Sequence, residues 1–324
     1  MSHIIFGDKR IGLDEGQTVL SALLEQGYDI ANSCRAGVCQ SCLMKAVEGE
    51  IPAEAQIGLK DTLKLQGYFM ACSCKPDTPL HIATDANEGL QSSAKVIEHK
   101  LFNKDILCIR LKPEENFEYN AGQFISVWKE AKVGRSYSLA SVSGLDDYLE
   151  LHIRRISNGV VSNWLHDEVK AGDILQIRAA SGNCFYTPGM PEQKILLAGT
   201  GTGLAPLIGI ARDALKQDHT GEIHLVHGTR HVDDLYMHQT LLDMTKQNNK
   251  FNYLASVLQG DENQPAVSSV SIDKQLIDVA GDIKDCKIFL CGDPDMVNNL
   301  KRKLFIAGAS MNNIHTDPFI ASNS

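Results

Sequence analysis

The chain has 324 residues, of which 43% are apolar, and this is enough for two or three domains with ordinary cores. Its net charge of -9, without a basic stripe interleaved with aromatic residues, disfavours nucleic acid as a partner. Nine cysteines without an apolar leader indicate the reducing cytoplasm, and glycines with a proline interrupt the longest uncharged run, 195–211, which excludes a membrane span.

Two changes in composition divide the chain. Residues 85–93 are small and polar, and residues 187–191 are stiff and turn-forming. We therefore predict three domains, over residues 1–91, 92–189 and 190–324. Residues 1–90 hold twelve acidic and seven basic side chains, which fits either docking on a basic partner surface or a merely solvated acidic surface.

The first domain is predicted to be a compact α+β unit. Strand-like runs at 4–6 and 10–13 precede a helix that begins near Thr18 and ends at Gly27. A further strand is predicted at 43–47, directly after a loop that is rich in cysteine.

The cysteines of that loop carry the strongest signal. Cys34, Cys39 and Cys42 stand in the spacing C-x4-C-x2-C, and Cys72 follows after a gap of twenty-nine residues. This spacing is typical of a plant-type 2Fe-2S cluster. The alternatives are a structural zinc site, which prefers paired C-x2-C units, and buried thiols without a metal. On a strand, Cys72 and Cys74 would point the same way, so either is a candidate fourth ligand.

The middle domain shows strand-like runs separated by turns, which is typical of a small antiparallel barrel. The five runs are 94–99, 105–111, 122–128, 148–154 and 173–178.

Two groups in this domain have the chemistry to bind phosphates. A guanidinium, an aromatic ring and a hydroxyl follow one another closely, which suits a pyrophosphate and a flat ring together. Free N–H groups at a predicted helix start, before the run 163–166, suit a second phosphate contact. Each signal alone is weak, because such tetrapeptides occur by chance or serve as helix caps. The residues are Arg135, Ser136, Tyr137 and Ser138, and Gly159, Val160, Val161 and Ser162.

The last domain alternates strands and helices, which predicts a parallel α/β sheet. A buried strand at 194–198 leads into a glycine-rich turn at 199–203 and then a helix with Pro206 in its first turn. The next strand, 222–227, is followed by Arg230 and lacks the ribose-binding acid of the Rossmann fingerprint. A strand at 287–290 ends in a second turn, which should lie at the same sheet edge: Cys291, Gly292, Asp293 and Pro294. The eleven histidines show no metal-binding spacing.

Together these motifs resemble, over nearly the whole chain, the NAD(P)H-dependent reductase components of bacterial multicomponent oxygenases, within the ferredoxin reductase superfamily. The resemblance implies a β-grasp ferredoxin domain, an antiparallel β-barrel FAD domain and a parallel α/β nucleotide-binding domain. It also implies that Cys34, Cys39, Cys42 and Cys72 hold the 2Fe-2S cluster and that Cys74 does not.

The same resemblance assigns the flavin and nicotinamide sites. Arg135 would hold the FAD pyrophosphate, Tyr137 the isoalloxazine face, and Ser138 would lie near flavin N5, with Ser138 and Cys291 as the catalytic residues. Residues 180–183 depart from the family's glycine-proline-x-glycine turn. The remaining cofactor-binding candidates are His152, Ile153, Arg154, Thr200, Gly201, Thr202, Gly203, Pro206, Arg230, Gly292, Asp293, Pro294 and Phe319.

Electron counting gives the predicted function. NAD(P)H donates two electrons as hydride and a 2Fe-2S cluster accepts one, so a flavin must lie between them. We predict a cytoplasmic enzyme that passes electrons to an oxygenase component or a ferredoxin. The alternatives are a related reductase with another acceptor, such as a deoxysugar enzyme or a cytochrome, and a non-enzymatic redox sensor. Arg230 would meet either the 2'-phosphate of NADPH or solvent.

Overall fold

The computed structural model describes residues 2–28, 30–32, 34–38, 40–59, 61–83, 91–130, 133–259 and 264–319. Cys39 and most of the predicted linker at 85–93 lie outside the described residues. Within the described ranges, no helix has the length and apolar character needed to cross a bilayer.

The cysteine-bearing part folds around its own sheet. Its elements are β1 (His3–Phe6), β2 (Lys9–Gly12), α1 (Val19–Glu25), β3 (Leu43–Glu48), α2 (Asp61–Leu65), β4 (Tyr68–Met70) and β5 (Leu80–Ile82). The strands lie in the order β2-β1-β5-β3-β4. Thr18 caps α1 in a capping box with Ser21, and the apolar face of the helix enters the core. The predicted strands and the predicted helix are confirmed.

An antiparallel six-stranded sheet follows. Its elements are β6 (Gln91–Leu101), β7 (Ile106–Pro113), β8 (Phe124–Glu130), β9 (Val133–Ser138), β10 (Leu149–Arg154), α3 (Val160–Asp167) and β11 (Ile174–Arg178). The order is β10-β7-β6-β11-β8-β9. The five predicted strands are confirmed, and a sixth strand, β9, carries the residues 135–138 that are predicted to bind phosphate. Because β6 begins at Gln91, the predicted linker extends too far: its last residues pair with β11.

The last sheet is parallel, as predicted. Its elements are β12 (Ile195–Thr200), α4 (Leu204–Lys216), β13 (Ile223–His231), α5 (His238–Gln247), β14 (Phe251–Gln259), β15 (Val267–Ser268), α6 (Ile272–Ala280), β16 (Lys287–Gly292), α7 (Pro294–Ile306) and β17 (Ile314–Pro318). The order is β15-β14-β13-β12-β16-β17, with apolar clusters on both faces. The carboxyl ends of β12 and β16 are therefore neighbours.

Helix α4 joins the parallel sheet to the antiparallel one. A Cβ at Gly209 would lie 2.9 Å from the carbonyl oxygen of Leu139, so this helix needs glycine to pack against the end of β9. Arg212 of α4 donates two 2.8 Å hydrogen bonds to Asp146 in the loop before β10. This contact holds the two predicted cofactor-binding domains against each other.

Candidate functional site

The cysteine loop adopts a tight backbone. Arg35 and Gly37 have φ values of 51° and 72°, in the left-handed region that favours glycine. A Cβ at Gly37 would lie 2.5 Å from the Ser73 hydroxyl oxygen, so the loop approaches the 71–74 turn as closely as a glycine permits. The approach lets the Gly37 backbone N–H donate to Cys72 Sγ at 3.3 Å.

Three of the four predicted cluster ligands lie together. The pKa of Cys72 is lowered to about 6, chiefly by a hydrogen bond with Cys42, while burial and the charge of Cys34 act in the opposite direction. The Ala36 backbone N–H donates to Cys34 Sγ at 3.4 Å. Thiols surrounded by backbone donors fit the sulfur ligation and the sulfur hydrogen bonds of an iron–sulfur cluster. Cys39, the fourth predicted ligand, lies outside the described residues.

Cys74, the other candidate for the fourth ligand, is more deeply buried than Cys72. Strand β4 ends at Met70, Cys72 lies in the turn that follows, and Cys74 lies just after that turn, so neither is on a strand. The side-chain alternation of a strand therefore does not apply to these two cysteines. Cys74 is fully buried in the apolar core, and burial raises its pKa to about 12. A thiol buried in apolar surroundings is typical of a structural cysteine.

Strand β9 carries the predicted flavin residues Arg135 and Tyr137 at alternate positions, on one side of the strand. Arg135 and Tyr137 pair with Val127 and Ile125 of β8, and Tyr137 packs half-buried against the core of this domain. The Arg135 guanidinium donates to the neighbouring Gly134 carbonyl at 2.8 Å. A cation and an aromatic ring on one side of a strand fit a flavin nucleotide.

The predicted phosphate-binding helix start is also formed. Gly159 precedes α3 without a side-chain cap, so the N–H groups of the first turn have no capping side chain. The Ser162 hydroxyl instead accepts from the Ile156 backbone N–H at 3.2 Å. Helix α3 packs on β8 and β9. An uncapped helix start beside the strand of Arg135 fits a pyrophosphate.

The Ser138 hydroxyl has a partner from the last strand of the chain. It donates to Asp317 Oδ2 at 2.8 Å, and both residues are buried. Burial raises the pKa of Asp317 to about 6, although the hydrogen bond from Ser138 opposes that rise. Asp317 lies opposite Cys291 in the pairing of β16 with β17, which links the predicted flavin and nicotinamide residues. Phe319, two residues further on, was predicted from the sequence, and Asp317 was not.

The two turns of the parallel sheet interlock through glycine. A Cβ at Gly203 would lie 2.3 Å from the Cys291 carbonyl oxygen, and one at Gly292 would lie 2.7 Å from the Thr200 carbonyl oxygen. No larger residue fits at either place without moving the backbone. The Asp293 backbone N–H donates to Thr200 Oγ1 at 3.3 Å. The predicted nicotinamide turns therefore form one continuous surface at the carboxyl edge.

The other predicted residues of this edge surround that surface. Thr202 lies in the short 3-10 turn before α4, and Pro206 lies in the first turn of that helix. Pro294 opens α7, and the Phe319 backbone N–H donates to the Gly292 carbonyl at 2.7 Å. Arg230 is exposed at the end of β13.

Cys291 is fully buried and lies next to another thiol. Its Sγ lies 3.6 Å from Sγ of Cys184, and burial raises the pKa of Cys291 well above its usual value. The Cys291 thiol is therefore protonated in the folded protein at neutral pH. Cys184 follows the segment 180–183, in which Ser181 pairs with Phe124 and extends the antiparallel sheet. Nothing in the spacing of Cys184 indicated this contact.

His152 joins the two nucleotide domains through its side chain. Its ring lies 3.0 Å from Glu150 Oε1 and 3.1 Å from the hydroxyl of Tyr236, which belongs to the parallel α/β unit. Burial opposes ionisation of Glu150, but hydrogen bonds from His152 and Arg110 outweigh it and lower its pKa to about 2. Cys108, Glu150 and His152 lie close enough together to bind a metal ion. Glu150 and His152 are already hydrogen-bonded to protein groups, so these contacts account for their burial without a metal.

The next two residues of β10 point in opposite directions. Ile153 is buried in the core, whereas Arg154 is exposed. A Cβ at Gly201 would lie 3.2 Å from Arg154 Nη1, so this arginine reaches across to the glycine-rich turn. Arg154 is therefore placed to meet a nucleotide from either domain.

Comparison with known proteins agrees with this arrangement. Family models match a 2Fe-2S iron-sulfur cluster binding domain at 7–77, an oxidoreductase FAD-binding domain at 93–186 and an oxidoreductase NAD-binding domain at 197–302. The reductase subunit of an aromatic O-demethylase from Amycolatopsis sp. is 30% identical, and the match covers 97% of both chains. Terephthalate 1,2-dioxygenase reductase component 1 from Comamonas sp. is 26% identical over 99% of this chain and 97% of its own.

A solved structure shows the same organisation. The Amycolatopsis cytochrome P450 reductase GcoB superposes with a TM-score of 0.70 at 27% identity, and the match covers 98% of this chain and 99% of that one. The order of the three matched domains is the order in which the three sheets follow one another.

Proposed function

The chain belongs to the family of iron–sulfur flavoprotein reductases that form the reductase components of oxygenase systems, and we propose that its own acceptor is an oxygenase component or a ferredoxin of such a system. It is an NAD(P)H-dependent oxidoreductase with FAD and 2Fe-2S domains. The proposal depends on one observation: a single chain contains the 2Fe-2S domain, the FAD-binding domain and the NAD-binding domain. When bound, the flavin and the cluster supply the chemistry that divides one hydride donation into single-electron deliveries.

The proposed function requires three sites: one for the cluster, one for the flavin phosphates and one for hydride transfer. We propose that Cys34, Cys39, Cys42 and Cys72 hold the cluster, supported by the thiol contacts at Cys72. Arg135 and the α3 start would hold the flavin phosphates, supported by the uncapped helix beside β9.

The third place is the hydride site, where the two nucleotide domains meet. Ser138 and Asp317 form a buried pair that can hold or release a proton there, because the pKa of Asp317 is about 6. The protonated Cys291 thiol and its glycine neighbours would shape the nicotinamide pocket. We propose that Arg230, exposed beside that edge, contacts the ribose end of the nucleotide.

We also propose a closed barrel, a β-grasp sheet, three domain limits and a cellular compartment. An isolated bridge between Leu139 and Leu151 supports a closed antiparallel barrel, since it joins the end of β9 to β10 at the opposite edge of the sheet. A β-grasp arrangement of the first sheet is supported by the family match at 7–77. The proposed domain limits stay at 1–91, 92–189 and 190–324, and the proposed compartment is the cytoplasm.

The proposal and its alternatives differ in the protein that accepts the electrons. The matched relatives include reductases named for demethylase, dioxygenase and monooxygenase systems, and these names support an oxygenase acceptor. A deoxysugar enzyme or a cytochrome as acceptor would use the same three domains. A redox sensor would bind the same cofactors without turnover.

Anaerobic titration with NADH, and separately with NADPH, tests the proposed activity. We expect the absorbance changes of flavin and cluster reduction to be complete at about 1.5 equivalents of the preferred nucleotide, because the flavin takes two electrons and the cluster one. A dithionite titration of the same sample provides the control for total electron capacity. Cofactor-replete protein that dithionite bleaches but neither nucleotide bleaches would contradict the reductase function and favour a sensor.

A further inference from the structure

A buried arginine connects the antiparallel sheet to the cysteine loop. Arg178, the last residue of β11, is 5% exposed, and its Nη1 donates to the Gln40 carbonyl oxygen at 2.7 Å. Gln40 lies within the C-x4-C-x2-C motif, between its second and third cysteines, and has a left-handed φ of 57°. The bond therefore joins the predicted flavin domain to the backbone of the predicted cluster loop.

The same guanidinium also contacts an aromatic ring. It lies 5.1 Å from the ring of Trp128, which is 4% exposed. Trp128 pairs with Gln176 of β11, and Arg178 follows two residues later on the same side of the strand. A Cβ at Gly134 of β9 would lie 2.6 Å from the Trp128 ring, so glycine lets the ring lie against the strand. Trp128 and Arg178 thus form a stack that runs from Gly134, the neighbour of Arg135, to Gln40 in the cysteine loop.

This stack lies on the side of the sheet that faces away from its own core. Val127 and Ile177, the neighbours of Trp128 and Arg178 in sequence, are fully buried in the apolar cluster of the antiparallel sheet. Trp128 and Arg178 alternate with them and so point outward, yet both are buried. The contact with Gln40 shows that the cysteine-bearing domain helps to cover them.

We propose that Arg178 is a positioning residue that docks the 2Fe-2S domain on the flavin domain and sets the separation over which electrons pass between them. The inference rests on the proposed function, since it takes the cluster to be held by the cysteine loop and the flavin by β9. Electron transfer slows steeply as donor and acceptor move apart, so a loosened loop lowers its rate.

Only arginine combines the two contacts that the structure shows. Its edge donates to the Gln40 carbonyl while its flat face lies against Trp128, whereas a lysine ammonium is a point donor without a stacking face. The positive charge also lies close to a loop that would bind an anionic cluster. This charge favours the reduced, more negative state and thereby raises the cluster's reduction potential.

The test uses the full-length, cofactor-replete protein with Arg178→Gln, Arg178→Lys and the matched control Arg302→Gln, which alters an exposed arginine of α7. Stopped-flow reduction by NADH should show an unchanged flavin phase in all variants. The cluster phase should slow by roughly tenfold or more in both Arg178 variants, the scale of losing a hydrogen bond from a charged donor. Redox titration by electron paramagnetic resonance should give a lowered cluster potential in Arg178→Gln and a nearly unchanged one in Arg178→Lys.

Small-angle scattering of the same samples should show a larger radius of gyration for both Arg178 variants than for the control. A wild-type cluster phase in Arg178→Gln would overturn the inference. So would loss of FAD or an equal slowing of both phases, because Arg178 would then support the flavin domain itself. Absence of the cluster phase in wild-type and Arg302→Gln proteins would instead contradict the proposed function.

Discussion

Cys72→Ser is expected to abolish the electron paramagnetic resonance signal of the reduced cluster, whereas Cys74→Ser should preserve it. Cys72 contacts Cys42 and receives the Gly37 N–H, while Cys74 is buried in the apolar core with a raised pKa. A cluster needs four thiolates held in one geometry, so loss of a ligand removes it. Flavin reduction by NAD(P)H should continue in Cys72→Ser, but transfer to a protein acceptor should stop.

The two variants need a control for stability. A serine hydroxyl buried at position 74 without a partner costs about 1–3 kcal/mol. Cys74→Ala removes the thiol without adding that polar group and should retain the signal at full intensity. A signal that persists in Cys72→Ser and disappears in both Cys74 variants would reverse the ligand assignment.

Ser138→Ala is expected to slow flavin reduction by roughly ten- to a thousandfold while FAD stays bound, the scale of losing one preorganised hydrogen bond near a reacting atom. The Ser138 hydroxyl donates to Asp317 and stabilises its ionised form. Without that donor the pKa of Asp317 rises further, so the pH dependence of flavin reduction should move to higher pH. Stopped-flow measurements across a pH series check both effects.

Ser126→Ala is the matched control for Ser138→Ala. It removes a buried hydroxyl from the adjacent strand β8, where Ser126 contacts Ser136 at 3.2 Å. Its rate and pH dependence should stay close to those of the unchanged protein. A flavin-replete Ser138→Ala protein that reduces at full speed would remove Ser138 from the mechanism.

Much of the fold was predictable because local signals and tertiary structure agree. The helix that begins at Thr18 carries both a cap and an apolar face, and it forms as expected. The buried strand before the glycine-rich turn likewise forms as β12, with α4 following. In these elements the hydrophobic period, the caps and the turn residues all favour one structure.

The parts that sequence reasoning missed depend on contacts between distant residues. Ser138 and Asp317 are 179 positions apart, and the Cys184–Cys291 contact spans 107. No local period encodes such a pair, since it arises when β17 is added to the edge of a sheet formed by earlier strands. The turn that separates Cys72 from Cys74 was missed for the opposite reason: alternation was assumed past Met70, where β4 ends.

The most direct test of the account is a two-acceptor assay on a chain that begins at Gln91, where β6 starts. This chain should bind FAD and reduce ferricyanide with NAD(P)H, because both nucleotide domains remain. It should fail to reduce the oxygenase component, or cytochrome c in its place, because the cysteine loop has been removed. If truncation abolished both activities while FAD remained bound, the division into a hydride site and a separate one-electron exit would be contradicted.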